Sequence, residues 1–295
     1  DPYGNKWIDF TSTIFVANAG HGNKETVSEI NKIINKPLLH SYYYPTIERK
    51  KFLKKLLKIT PSYLNKAILL SAGTEATERA MKIASIYGAL NKKKYIIAWK
   101  GNYHGKTLNA QMLSGQNLDH TWIKNFNNDI IHLPFPYPWL LEKEKISGRD
   151  LFELHLKLLR KKIDLKKIGS FFVESFQGWG AIFYPKDYIK ALREWSTKNK
   201  SLLVFDEIQA GFYRTGKLFG YQHYQVKADL VICGKGISGS LPLSALIGKS
   251  GLIDLDSAYT STHGGNPVAC AASLGNLNSL EKIENSGLIK RNSTL

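Results

Sequence analysis

"ADLVICGKGISGSLPLSALIG", residues 228–248, carries two apolar runs on either side of Gly234-Lys235-Gly236. Val231-Ile232-Cys233 and Ala245-Leu246-Ile247 are apolar without alternation, the pattern of strands covered on both faces. A lysine between two glycines therefore stands at the mouth of the core. The pattern recurs along the chain: "KAILLSAG", "KYIIAWK", "DIIHLPF", "IGSFFVES" and "SLLVFDE" read as further strands. Helical periodicity lies between them, from about Thr74 to Leu90, from Asp150 (read as the N-cap) to Ile163, and from Asp187 to Asn199. Strands alternating with helices predict a three-layer α/β/α fold with a mixed, mostly parallel sheet.

The 295 residues fit one large domain or two unequal ones, and 43% hydrophobic residues suffice for a substantial core. No uninterrupted apolar stretch reaches the length of a membrane helix, so no membrane partner is expected. The opening "DPYGNKWIDF" lacks the basic start and apolar centre of a secretory signal. It reads as mid-domain, and the expectation is a longer parent protein. Two cysteines, Cys233 and Cys270, make no disulfide framework and predict a reducing, cytoplasmic setting. The net charge is +17. No zinc-ligand spacing or aromatic RNA-binding strand accompanies it, so neither a metal site nor a nucleic-acid partner is expected. Lysine runs such as Lys92-Lys93-Lys94 and Lys161-Lys162 fit helix ends and turns, and a basic surface helps gather anionic substrates.

In such sheets ligands sit beyond the carboxyl ends of the strands. The polar residues just after each apolar run are therefore the site candidates. After "AILL", Gly73 and Thr74 open a helix, where backbone N–H groups favour an anion such as phosphate. A plainer reading makes Thr74 an ordinary N-cap, with Thr77 and Glu78 following. After "IIAW" come Tyr103 and His104; the tyrosine either stacks on a planar ligand or packs. Glu174 ends "SFFV", and Asp206 and Glu207 end "LLVF". A buried carboxylate needs a partner, either a metal or a protonated ring nitrogen. Lys235 ends "LVIC"; a desolvated lysine loses proton affinity and becomes a nucleophile, whereas an exposed one snorkels. Taken together, an amine for a Schiff base, a carboxylate for a ring nitrogen, a Gly-Thr helix start for a phosphate and a stacking aromatic are what pyridoxal phosphate requires.

Five segments also resemble the class III aminotransferases, pyridoxal-phosphate enzymes of fold type I: "LLSAGTEATERAMKIA", "GNYHGKTLNA", "LLVFDEIQAGFYRTGKLFGYQHY", "ADLVICGKGISGSLPLSALIG" and "STHGGNPVACAAS". The resemblance implies the following roles. Lys235 forms the Schiff base and shuttles the proton at the reacting carbon. Asp206 pairs with the ring nitrogen, with His104 in the same pocket. Gln209 hydrogen-bonds near the phenolic oxygen. Ile208 and Tyr103 take the two ring faces, and Gly73 and Thr74 hold the phosphate. Thr262 reaches the phosphate of the neighbouring subunit's cofactor, which calls for a homodimer and leaves a tetramer open. Glu174 lies near the substrate pocket.

The activity implied is transfer of an amino group from an amino acid or ω-amine, such as 4-aminobutyrate or an ornithine derivative, to a 2-oxo acid. An aminomutase of the glutamate-1-semialdehyde type and a truncated non-catalytic relative are the alternatives. Residues 1–40 are expected to form an N-terminal segment of a small domain, 41–280 the cofactor-binding large domain, and 281–295 the start of a truncated C-terminal domain. The chain departs from the family pattern in two places. Ser175 in "VESFQGWGA" replaces a proline, and the sequence ends at "GLIKRNSTL", where relatives continue into a domain that supplies an arginine for the substrate carboxylate. Tyr42-Tyr43-Tyr44, "PFPYPW" and Trp179 are candidates either for the pocket wall or for packing.

Overall fold

The apolar runs become strands, and their register determines what meets at their ends. The computed structural model describes residues 2–37, 40–41, 43–115 and 122–292. Its strands are β1 (Lys66–Leu70), β2 (Tyr95–Trp99), β3 (Ile130–Leu133), β4 (Ile168–Glu174), β5 (Phe176–Gln177), β6 (Ile182–Phe183), β7 (Leu202–Asp206), β8 (Leu230–Cys233) and β9 (Ser244–Gly248). Seven of them form one sheet in the order β1-β9-β8-β7-β4-β2-β3. The other neighbours run parallel, while β9 is antiparallel to both β1 and β8. The mixed, mostly parallel sheet expected from the sequence is what forms. The two-residue strands β5 and β6 pair separately.

Each strand feeds two cores because successive side chains point to opposite faces. Phe171, Val173, Leu203, Phe205 and Val231 join one apolar cluster. Phe172, Val204, Leu230 and Ile232 join the other. Each such buried side chain stabilises by about 2 kcal/mol, enough to offset the 1–2 kcal/mol of fixing its backbone. The strand centres therefore hold the fold, and the loops at their ends are left for chemistry.

The helix Gly73–Leu90 covers the second face, with Ala76, Ala80 and Ala84 along its buried stripe. These small residues let the helix lie close to the sheet, so its N-terminus arrives at the strand ends. Helices Gly148–Arg160 and Lys186–Lys198 cover the first face. Between them Trp99 Nε1–H donates to the Tyr188 hydroxyl (3.0 Å), which lies 2.8 Å from His155 Nδ1. The helix Pro267–Asn285 packs on Lys24–Ile34 and Ile47–Ile59, and it runs through position 280, where the sequence reading draws a boundary.

One local expectation is corrected. Asp150 is not the N-cap of its helix; Ser147 is. The Asp150 N–H donates to Ser147 Oγ (3.1 Å), and Asp150 Oδ2 accepts from the Ser147 N–H (3.0 Å). In this reciprocal arrangement the carboxylate sits one turn inside the helix. A sequence reading easily assigns the cap to the wrong member of the pair.

Candidate functional site

The sheet register brings the candidate residues together. Glu174 and Asp206 are cross-strand partners on β4 and β7, and Asp206 pairs with Ile232 on β8, three positions before Lys235. Beyond these ends lies a cavity of about 310 Å³ lined by Gly73, Thr74, Tyr103, His104, Glu174, Asp206, Ile208, Gln209 and Lys235, with Ala72, Gly105 and Lys106. Its volume falls in the range of small-molecule sites. Of the residues assigned cofactor or substrate roles by the family resemblance, Thr262 is the one outside this cavity. It is exposed, and its carbonyl lies 2.7 Å from His40 Nε2.

Asp206 is buried and held on both oxygens. His104 Nδ1–H donates to Oδ2 (2.8 Å), and the Ile208 N–H donates to Oδ1 (3.0 Å). His104 is fixed in turn: its N–H donates to Ser114 Oγ (2.8 Å) and its carbonyl accepts from Thr77 Oγ1 (2.9 Å). Its second ring nitrogen, Nε2, is buried and has no protein partner. A buried polar atom left without a partner is costly, so a ligand or water belongs beside it.

Lys235 Nζ donates to Gln209 Oε1 (2.7 Å). Burial pushes the amine below the ordinary lysine range, against the opposing pull of Asp206 and Glu174. Its backbone has φ +42°, in the left-handed region that a non-glycine residue adopts only under strain. Before it, Gly234 presses on Ile208: a Cβ there would lie 3.2 Å from Ile208 Cγ2. A Cβ on Gly73 would lie 3.0 Å from Ile208 Cδ1. Ile208 is thus wedged between the lysine turn and the helix start.

Glu174 closes another wall. Tyr103 N–H donates to its Oε2 (2.9 Å). Burial, reinforced by the Asp206 charge, raises its carboxyl well above the usual range, although the N–H groups of Tyr103 and Gly178 and the charge of Lys235 pull the other way. The same burial, with Asp206 and Glu174 adding to it, raises the Tyr103 phenol.

Thr74 does not cap its helix. Ala72 holds that position, and Glu75 Oε2 accepts from the Ser71 N–H (2.8 Å). The first N–H groups of a helix have no carbonyl one turn back to bond, and here Gly73 and Thr74 at the helix start line the cavity. Glu78 does not serve its own helix start either. It accepts from Thr107, Asn109 and Ala110, at the head of the helix Leu108–Leu113.

Ser175, which stands where the family resemblance expects proline, donates its hydroxyl to buried Glu207. The N–H groups of Gly220 (2.7 Å) and Tyr221 (2.8 Å) donate to the same carboxylate. The serine thus adds a hydrogen bond to the buried Glu207 carboxylate, next to Asp206 in the chain. Among the other candidates, Tyr43, Tyr44 and Trp179 are exposed and outside the cavity wall, and Tyr42 lies outside the described residues. In "PFPYPW" Phe135 is buried, and Tyr137 stacks on Trp139 with ring centroids 4.5 Å apart. Lys106, Thr107 and Ser114 were missed. They follow no apolar strand end directly, and only the sequence proximity of Lys106 to His104 could have flagged one of them.

Among the described residues no group of three or more His, Cys, Asp or Glu side chains could hold a metal ion, and no helix is long and apolar enough to cross a membrane.

The family model for aminotransferase class-III matches residues 1–295. A [LysW]-aminoadipate semialdehyde/glutamate semialdehyde transaminase of Sulfurisphaera tokodaii is 35% identical over 275 residues, covering 92% of this chain and 65% of that protein. A 4-aminobutyrate aminotransferase of Mycobacterium leprae is 30% identical, covering 99% and 66%. An acetylornithine aminotransferase of Clostridium acetobutylicum is 31% identical, covering 95% and 68%. The solved structure of a Bacillus anthracis aminotransferase superposes with a TM-score of 0.82 at 28% identity, covering 99% of this chain and 67% of that one. The chain spans about two thirds of the length of the relatives it matches.

Proposed function

The chain belongs to the class-III aminotransferases, and from that membership we propose that it binds pyridoxal phosphate and moves an amino group from an amino acid or ω-amine to a 2-oxo acid. The observation that carries this reading is the convergence of a desolvated Lys235 amine and a fixed, buried Asp206 carboxylate on one cavity. The donor set fits the cofactor: an amine for its aldehyde, a carboxylate for its ring nitrogen, a helix start in the cavity wall for its phosphate, and an orphaned His104 Nε2 beside the carboxylate.

When bound, pyridoxal phosphate supplies an electrophilic carbon and an electron-withdrawing ring. The protein supplies the rest. Lys235 Nζ, its proton affinity lowered by burial, would be the nucleophile and would then carry the proton lost from the substrate's amine-bearing carbon. Gln209 Oε1 accepts from the Lys235 amine and holds it in place. Asp206 keeps a proton on the ring nitrogen, and His104 keeps Asp206 in place. Tyr103 and Ile208 would flank the ring, and the backbone N–H groups of Gly73 and Thr74 would take the phosphate. Glu174, whose carboxyl burial pushes above its ordinary range, would lie on the substrate side of the cavity.

The names of the relatives favour donors whose amine lies remote from a carboxylate. The reading includes a cytoplasmic homodimer, with residues 41–280 as the cofactor-binding domain between partial segments 1–40 and 281–295. Exposed Thr262 would reach the neighbouring site. Trp7, Ile8 and Phe10, each at least 80% exposed, are the kind of side chain a partner subunit would cover.

The experiment is a donor scan with pyridoxal phosphate, with and without 2-oxoglutarate. Turnover that requires the oxo acid supports amino transfer. Turnover of a semialdehyde without it favours an aminomutase, and no turnover with any donor contradicts both.

A further inference from the structure

Thr107 has one hydroxyl proton and two oxygens at 2.6 Å, Glu78 Oε1 and Thr74 Oγ1. The carboxylate is the stronger acceptor, so the proton goes to Glu78. Thr107 Oγ1 must then accept from the Thr74 hydroxyl, while the Thr107 N–H donates back to Thr74 Oγ1 (3.3 Å). The result is a directed relay, Thr74 to Thr107 to Glu78, that joins the helix start to the loop after His104.

Glu78 anchors the far end of this relay. Besides Thr107 it accepts from the N–H groups of Asn109 (3.1 Å) and Ala110 (3.1 Å) and from Asn109 Nδ2 (2.8 Å). The loop it holds carries Gly105 and Lys106, both in the cavity wall. The contact is close: a Cβ on Gly105 would stand 2.4 Å from Thr74 Oγ1, and the φ of +136° is one that side chains rarely adopt. The relay turns the Thr74 hydroxyl proton towards Thr107, so Thr74 serves this end of the cavity through its backbone N–H, and the relay keeps that N–H, the Gly105 backbone and Lys106 together there.

We propose that Glu78 and Thr107 are positioning residues for the phosphate end of the cofactor. They act through Thr74 and the Gly105–Lys106 turn without touching the ring end, where Lys235 and Asp206 lie. The inference rests on the cofactor reading above. It is separable from that reading because it concerns one end of the ligand only. If Glu78 merely caps the helix Leu108–Leu113, its loss should disturb both ends alike.

The test is direct binding, read by absorbance or quenching of intrinsic fluorescence, with pyridoxal phosphate and with pyridoxal, which lacks the phosphate. Thr107→Val and Glu78→Ala are each expected to weaken pyridoxal phosphate about tenfold, as for one charge-assisted hydrogen bond. Pyridoxal affinity should be unchanged, and Thr107→Ser should restore the parent value. The double variant should lose no more than the worse single one, because both break the same relay. Thermal melts of each variant show whether it folds. Equal losses for both compounds, or additive losses in the double variant, overturn the inference and leave the cofactor reading standing. A parent that binds neither compound overturns the cofactor reading and this inference with it.

Discussion

His104 Nδ1 and Asp206 Oδ2 lie 2.8 Å apart with the histidine side chain fully buried, so the carboxylate at the end of β7 is oriented by a ring that cannot turn. If Asp206 serves the ring nitrogen directly and His104 acts only through Asp206, the two should differ in cost. Asp206→Asn is expected to lower amino transfer by about a hundredfold or more, as for loss of a charge aimed at the reacting group. His104→Gln should cost about tenfold, the worth of one hydrogen bond to a charged group. Initial rates at saturating cofactor check this. A histidine variant as damaged as the aspartate variant contradicts the assigned order.

Glu207 gives the stability a pH dependence of known sign. Burial pushes its carboxyl up to about 7 from the ordinary 4.5, although the Ser175 hydroxyl and the Tyr221 and Gly220 N–H groups pull it down. Between those values the folded chain holds a proton that the unfolded chain has lost. The group's contribution to stability is therefore full below 4.5 and is lost as pH rises through 7, with a steepest slope of about 1.4 kcal/mol per pH unit. Buried His155, lowered by burial from 6.5 to about 4, acts in the opposite sense on the acid side, where stability falls as pH drops from 6.5 towards 4. The measurement is therefore the difference between the parent and Glu207→Gln in denaturant unfolding from pH 4.5 to 8. The parent should lose stability relative to the variant as pH rises, and a constant difference contradicts the assignment.

Gly105 should tolerate no side chain. With φ +136° and a Cβ position 2.4 Å from Thr74 Oγ1, Gly105→Ala combines backbone strain with a collision. A loss of about 2–4 kcal/mol in unfolding free energy is expected, together with weaker cofactor binding. Gly251, whose Cβ would meet nothing within 4 Å, is the control, and Gly251→Ala should be close to neutral.

If Thr262 serves a neighbouring subunit, complementation follows. Lys235→Ala and Thr262→Val chains, each impaired alone, should regain activity when unfolded together and refolded. One site of the mixed dimer then has both native residues. No recovery in a mixture shown to be dimeric contradicts the shared site.

Most of the sheet was legible because a parallel strand buried on both faces has little choice but to be continuously apolar, as in Phe171-Phe172-Val173 or Leu203-Val204-Phe205. The lysine and the carboxylates were legible for a related reason: a charge directly after such a run is costly unless it has work to do. The rest depends on contacts that no local pattern encodes. Asp150 looked like a cap because a capping box offers two polar residues and the sequence does not say which is outside. Glu78 looked like part of its own helix start, yet its partners are Thr107, Asn109 and Ala110, about thirty residues on. Tyr43 and Trp179 could have faced the cavity or solvent, and only the fold decides between them.

Lys235 is expected to bond covalently to pyridoxal phosphate beside Asp206. The direct measurement is the absorbance spectrum of the purified chain after addition and removal of excess cofactor, with Lys235→Ala alongside. A visible band is expected in the parent, absent from the variant and bleached by an amine donor. A folded parent with no such band, or a band that survives loss of Lys235, would contradict that bond.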